Sequence, residues 1–186
     1  ESLPSRSAQK DVEWAARDPR LFFRGAATNP LRRQLAQLAT RPNGAPLLDI
    51  MCTDWSKDRG GGKWAVDRSL FVPIADHCKW RYLAHLPGHS YAARLKYLFL
   101  NRSTVVWCQD DWQEFYYHTL VPQHHFVQVC TEGDVGVNRQ VVSRIQQLRA
   151  DDAQAQRIAQ QGFEFVSTNL TMDAVNEYWY ELLTQF

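Results

Sequence analysis

No apolar run in these 186 residues approaches the roughly 20 that a helix needs to cross a bilayer. Nothing near the start follows the basic, apolar, small-residue order of a signal peptide, and the first residue is Glu1 rather than Met. The sequence therefore reads as a processed product, a partial sequence or a piece of something longer. Charge of one sign is lacking too. Lys and Arg number 21 and Asp and Glu 20, a formal net charge of +1, so no global field marks a nucleic-acid binder. The cysteines at Cys52, Cys78, Cys108 and Cys130 include no CxxC pair, which argues against a zinc cluster. Cysteines so widely spaced read as buried thiols, or as disulfides if the compartment is oxidising. Internal repeats and low-complexity tracts are absent. "KDRGGGK" (57–63) lacks the GxxxxGK[ST] spacing of a phosphate loop and precedes no helix signal, so it reads as a surface loop.

What is present suits one domain with a sizeable core: 45% hydrophobic and 22% charged residues. Residues 8–17 predict a short helix stopped by Asp18 and Pro19. Strands are predicted at 21–24, 47–51, 80–86, 103–107 and 125–129. Helices are predicted over 30–39, where Pro30 suits the first helical position, and over 88–100 and 111–117. The C-terminal end reads as three helices, 137–149, 151–168 and 172–185, with Gly162 a weak point in the second. Strands alternating with helices argue an α/β fold with a parallel, Rossmann-like sheet and a helical C-terminal end.

In such a sheet, ligands lie beyond the carboxyl ends of the strands. "LPGHSYAARLKYLF" (86–99) leaves one of those ends. Gly88 permits a tight turn, and a helix beginning at Ser90 would aim its free N–H groups at an anion. Arg94 would lie on the same helical face as Ser90, able to fork onto a diphosphate. The bland alternative is an ordinary capped helix with a surface arginine. "FFRGAATNPLRR" (22–33) repeats the arrangement: strand, small-residue turn, helix start, then Arg32 and Arg33. Its bland alternative is a solvated helix face.

Together "FFRGAATNPLRR", "DHCKWRYLAHLPGHSYAARLKYLFL", "EFYYHTLVPQHHFVQV" and "GFEFVSTNLTMDAVNEYWYELL" resemble glycosyltransferase family 90, from about Trp14 onward. These are protein O-glucosyltransferases of the endoplasmic reticulum and the related capsule-associated (CAP10) xylosyltransferases. The resemblance implies the C-terminal, donor-binding half of a GT-B enzyme. Residues 1–13 would be a tail or the start of an interdomain helix, 14–170 the nucleotide-sugar-binding domain, and 171–186 a helix packing back on it. Carried over by motif, the donor site would comprise Arg32, Ala26, His89, Ser90, Tyr91, Ala92, Ala93 and Arg94. Arg94 would bind the diphosphate, and Glu114 the ribose or the sugar. Relatives often carry serine where Ala26 stands, which costs a hydroxyl contact. The donor would be UDP-glucose or UDP-xylose, the acceptor a hydroxyl of a protein or glycan, and the compartment the endoplasmic reticulum or Golgi lumen. No metal is implied.

Two departures follow. The family's cysteine after "KxLFL" is Asn101 here, so Cys78 loses its usual disulfide partner and is a thiol or pairs with Cys108 or Cys52. The family's catalytic base is an aspartate of an N-terminal domain for which this chain has no room, so the chain alone would bind a nucleotide sugar without transferring it. A degenerate, non-catalytic binding or interaction module is the rival expectation.

Other features are set aside. His118, His124 and His125 have no recognised zinc spacing. Asp110 and Asp111 look like the DxD pair of metal-dependent transferases, but an N-cap for a helix at Trp112 is the plainer reading. Trp179 and Tyr180 are expected to dock the last helix. The sequons at Asn101 and Asn169 are glycan acceptors only in a secretory protein.

Overall fold

The computed structural model describes residues 12–53, 70–108, 111–129 and 136–185. Five parallel strands form one sheet in the order β2-β1-β3-β4-β5. They are β1 (Asp18–Ala26), β2 (Leu48–Thr53), β3 (Trp80–His85), β4 (Thr104–Trp107) and β5 (Val127–Gln128). The α/β, Rossmann-like expectation holds, with C-terminal helices as read. Strand β1 is longer than the predicted 21–24 and continues through Gly25 to Ala26.

Successive residues on a strand face opposite sides, and both sides are covered. Leu21, Phe23, Tyr82, Ala84 and Val106 join one core, with Leu35, Val141, Ile145, Ile158 and Ala159 from the helices. Phe22, Leu83, Val105 and Trp107 join the other, with Leu95, Leu98, Phe99, Phe126 and Val166. Phe22 and Phe23 are each at most 2% exposed. Burial of each contributes about 2–3 kcal/mol.

Helix α1 (Pro30–Ala39) starts where its signals place it: the Asn29 side chain accepts from the Leu31 N–H at 2.9 Å, and Pro30 occupies the first turn. The C-terminal helices are α3 (Val137–Ala150), α4 (Asp152–Asn169) and α5 (Met172–Thr184), each within two residues of expectation. Gly162 proves to be a contact rather than a weakness. A Cβ there would lie 2.6 Å from both the His125 carbonyl oxygen and Phe99 Cδ1, so only glycine lets α4 approach this closely.

Several local expectations fail. The helix predicted over 88–100 shrinks to α2 (Leu95–Phe99), and 88–94 is an irregular loop. Leu95, Leu98 and Phe99 supply an apolar stripe, but Tyr91, one turn earlier, is 49% exposed, so nothing buries an extension. Ser90 and Arg94 thus share no helical face, and no helix N-terminus points from Ser90. No helix spans 111–117 either. Only a 3-10 turn at Tyr117–Thr119 appears, and Trp112 in the stretch before it is 55% exposed. Asp111 accordingly caps no helix, and Asp110 lies outside the described residues, as do 8–11 and 57–63. Of the helix expected over 8–17, a 3-10 turn, Trp14–Ala16, is what is described. Finally, Trp179 and Tyr180 are 49% and 71% exposed; Tyr178 makes the contact instead, stacked on Phe115 at 4.8 Å.

Cys78 carries a thiol that donates to the Ala75 carbonyl at 3.3 Å, and Cys52 is a thiol as well. Cys108 is disulfide-bonded. Among the described residues no helix is long and apolar enough to cross a membrane.

Candidate functional site

The strand order reverses direction between β1 and β3, because the chain goes from β1 outward to β2 and then returns to β3 on β1's other side. Connections leaving β1 and β3 therefore diverge at their carboxyl ends and leave a crevice, the usual ligand position in open parallel sheets. A cleft of about 820 Å³ opens there, lined by Arg24, Gly25, Ala26, Arg32, Thr53 and Arg94 on one part and by Phe71, Val72, Ile74 and His77 on another. Its volume suits a ligand of nucleotide-sugar size.

Two guanidinium groups reach it from the two diverging connections. Arg32, on α1, is 5% exposed. Its Nη1 donates to the Ala26 carbonyl and the Thr28 hydroxyl, and its Nη2 to the Leu86 carbonyl, all at 3.0 Å. It therefore ties the turn after β1 to the segment after β3. Arg94 comes from the loop after β3 and donates from Nη1 to the Arg24 carbonyl at 2.8 Å. Both stand on the Phe23 ring, 5.2 Å and 4.9 Å from its centroid. A glycine beneath them leaves room for Arg94: a Cβ on Gly25 would sit 2.7 Å from Arg94 Nη2 and displace the end of that side chain.

The charges of the cleft arginines are not equally answered. Arg24 pairs with Asp49 at 2.5 Å, and Trp80 Nε1 holds the other Asp49 oxygen at 3.2 Å. For Arg94, no carboxylate lies within 4.0 Å among the described residues. Burial, and then the charge of Arg32, push its guanidinium down to about 10, which leaves it protonated at neutral pH. A half-buried cation held beside another cation is an arrangement that an anion would relieve.

Two buried histidines lie close to the arginines, and one of them, His77, is on the cleft wall. His77 lines the cleft, touches Phe22 edge-on at 4.9 Å and approaches the Val72 carbonyl through Nε2 at 3.3 Å. Burial, chiefly, holds it down to about 4, with Arg94 and Arg24 adding repulsion. His85 ends β3 at 4% exposure, and burial followed by Arg94 and Arg32 holds it down to about 3. Both are neutral at pH 7, so neither competes with the arginines for an anion.

Of the residues singled out from sequence, Ala26, Arg32 and Arg94 are brought together at the cleft. His89, Ser90, Tyr91, Ala92 and Ala93 are not among its walls; they form the loop that carries Arg94 from Gly88. Glu114 is not on the walls either. Lys96 holds its Oε2 at 3.2 Å, while its Oε1 is buried without a hydrogen-bond partner. Sequence reasoning missed Arg24, Thr53, Phe71, Val72, Ile74 and His77. The position of Thr53 at the carboxyl end of β2 was the available signal for one of them; 71–77 carry none. His124 and His125 meet edge-on, ring centroids 4.6 Å apart, and no group of three or more His, Cys, Asp or Glu among the described residues is placed to hold a metal.

Comparison with known proteins finds a family model, described as Glycosyl transferase family 90, that matches residues 3–186. The chain is 35% identical to Protein O-glucosyltransferase 1 of Mus musculus over 182 residues, which cover 93% of this chain and 43% of that protein. It is 34% identical to Protein O-glucosyltransferase 1 of Bos taurus, with the same coverage. O-glucosyltransferase rumi of Drosophila melanogaster is 32% identical over 193 residues, 100% of this chain and 44% of that protein. The chain thus spans less than half the length of these curated relatives.

Proposed function

This chain belongs to glycosyltransferase family 90, and we propose that it is the donor-binding part of an inverting O-glycosyltransferase. The donor is a UDP-sugar, with glucose or xylose as the transferred unit, and the acceptor is a protein or glycan hydroxyl in the lumen of the endoplasmic reticulum or Golgi. The observation that carries this reading is the convergence of Arg32 and Arg94 over Phe23, from opposite sides of the crevice, with no carboxylate within 4.0 Å of Arg94 among the described residues. Relatives named as O-glucosyltransferases support the same class.

In this reading the diphosphate lies between the two arginines. The base packs on the apolar wall of Phe71, Val72 and Ile74. As the bond from the anomeric carbon to the β-phosphate oxygen breaks, charge accumulates on that oxygen. Guanidinium groups already fixed there stabilise the leaving UDP without reorganising. The arginines thus take the part that a metal takes in other transferases. Ala26 offers no hydroxyl, but its carbonyl accepts from Arg32 and so helps hold that guanidinium in place. Deprotonation of the acceptor hydroxyl needs a general base, which the reading places in an N-terminal segment corresponding to the rest of the relatives' length.

UDP titration by calorimetry tests the reading. The full chain binds UDP, and Arg94→Ala weakens it at least tenfold, about 1.4 kcal/mol. No binding by the folded chain, or equal binding by the variant, would favour the rival reading of a non-catalytic interaction module.

A further inference from the structure

The two sequons meet opposite environments. Asn101 follows α2 and is 3% exposed. Its Nδ2, the atom a glycan would occupy, donates to the Tyr97 carbonyl at 2.8 Å, and its own carbonyl accepts from Arg17 Nη1 at 3.0 Å. Ser103, the third residue of that sequon, is fully buried and donates to the Trp80 carbonyl at 2.8 Å. No space remains there for even one sugar ring. Asn169 is the last residue of α4 and is exposed. Its Nδ2 donates to the Phe165 carbonyl at 2.9 Å through one of its two hydrogens. A glycosylated amide keeps one N–H, so a glycan can replace the other hydrogen without breaking that bond.

We propose that Asn169 is an N-glycan acceptor and that Asn101 is not glycosylated in the folded protein. The inference rests on the lumenal placement proposed above. The co-reactant is a lipid-linked oligosaccharyl pyrophosphate, used by the lumenal oligosaccharyl transferase. Asn169 Nδ2 attacks the anomeric carbon of the first sugar, and an N–C bond forms. The anomeric C–O bond breaks, the lipid pyrophosphate departs with the electron pair, and one amide proton passes to solvent or a base of the transferase.

The turn itself sets the timing. Thr171, the hydroxyl residue of the sequon, is the N-cap of α5 and accepts from the Ala174 N–H at 3.2 Å. Leu170 between them is 4% exposed. The folded turn therefore cannot be drawn out into an extended tripeptide. Addition precedes the closing of α5, and the finished fold leaves the modified side chain in solvent. At Asn101 the same early addition would leave a sugar where the fold needs a buried amide, so chains modified there do not reach the native state.

The full chain, given a cleavable secretion signal and expressed in cultured animal cells, is purified in folded form. It is then treated with peptide N-glycosidase in 18O water and mapped by mass spectrometry. The label is expected on Asn169 and not on Asn101. Asn169→Gln should abolish the single glycosidase-sensitive mobility step, with UDP binding unchanged. An unlabelled Asn169, or a label on Asn101 in the folded protein, overturns the proposal. Site mapping on the unsubstituted chain decides this even if a variant fails to fold. Because the signal forces lumenal entry, this result is independent of where the protein resides. A native-source protein without glycan, beside a labelled Asn169 in the forced arm, would overturn the lumenal placement alone.

Discussion

The two connections that supply the cleft arginines, the one after β1 and the one after β3, solve one problem in different ways. After β1 a short turn leads into a capped, ten-residue helix, and Arg32 is locked by three hydrogen bonds to two parts of the chain. After β3 a seven-residue irregular stretch (88–94) leads into a five-residue helix, and Arg94 holds the Arg24 carbonyl. The first arginine is part of the framework that shapes the crevice. The second has most of its hydrogen-bonding capacity left for a ligand. The two therefore separate stability from binding within one site.

Acid challenges the two buried histidines near these arginines. Buried neutral, His77 and His85 sit near 4 and 3 in the folded protein, against an ordinary value of 6.5. Between those limits the unfolded chain binds the protons that the native state refuses, so stability is complete above about 6.5 and falls as pH drops toward 3–4. The full loss, reached below the folded values, is about 3 kcal/mol for His77 and about 5 kcal/mol for His85. Urea midpoints measured across that range should fall steadily; a flat profile would mean that the two histidines are open to water.

Arg32→Ala comes next. Losing a buried cation that ties both connections should cost on the order of 3 kcal/mol of stability, together with UDP binding. A variant with a native midpoint would break the comparison. Arg94→Ala should do the reverse, with a loss of affinity of about 10- to 100-fold and a melting temperature close to that of the parent. Gly25→Ala has the smallest expected effect, because its Cβ displaces the flexible end of Arg94 and crowds Phe23 Cζ at 2.9 Å. About 1 kcal/mol of stability and a severalfold loss in affinity are expected. A neutral outcome would place Arg94 elsewhere when ligand is bound.

Much of the fold was legible because its signals are local. Asn29 and Pro30 mark a helix start within three residues, and apolar spacing over several turns marks α3, α4 and α5. Where the stripe was short, the reading went wrong. Leu95, Leu98 and Phe99 bury five helical residues and no more, so the expected helix at Ser90 became a loop. The error concerned how Arg94 is delivered, not that it reaches the cleft. In α5, the aromatic residues were visible, but which of them docks was not: Tyr178 meets Phe115, while Trp179 and Tyr180 face solvent.

By itself the sequence determined the alternation of strands and helices, the cap of α1 and the two arginine-bearing connections, since propensity, capping and periodicity act over a few residues. The tertiary structure alone decided that Phe71 and His77 wall the cleft and that Arg24 is neutralised by Asp49 while Arg94 is not. It also decided that Asn169 is open while Asn101 is sealed. Burial and charge pairing depend on chain segments that are distant in sequence and adjacent only after folding.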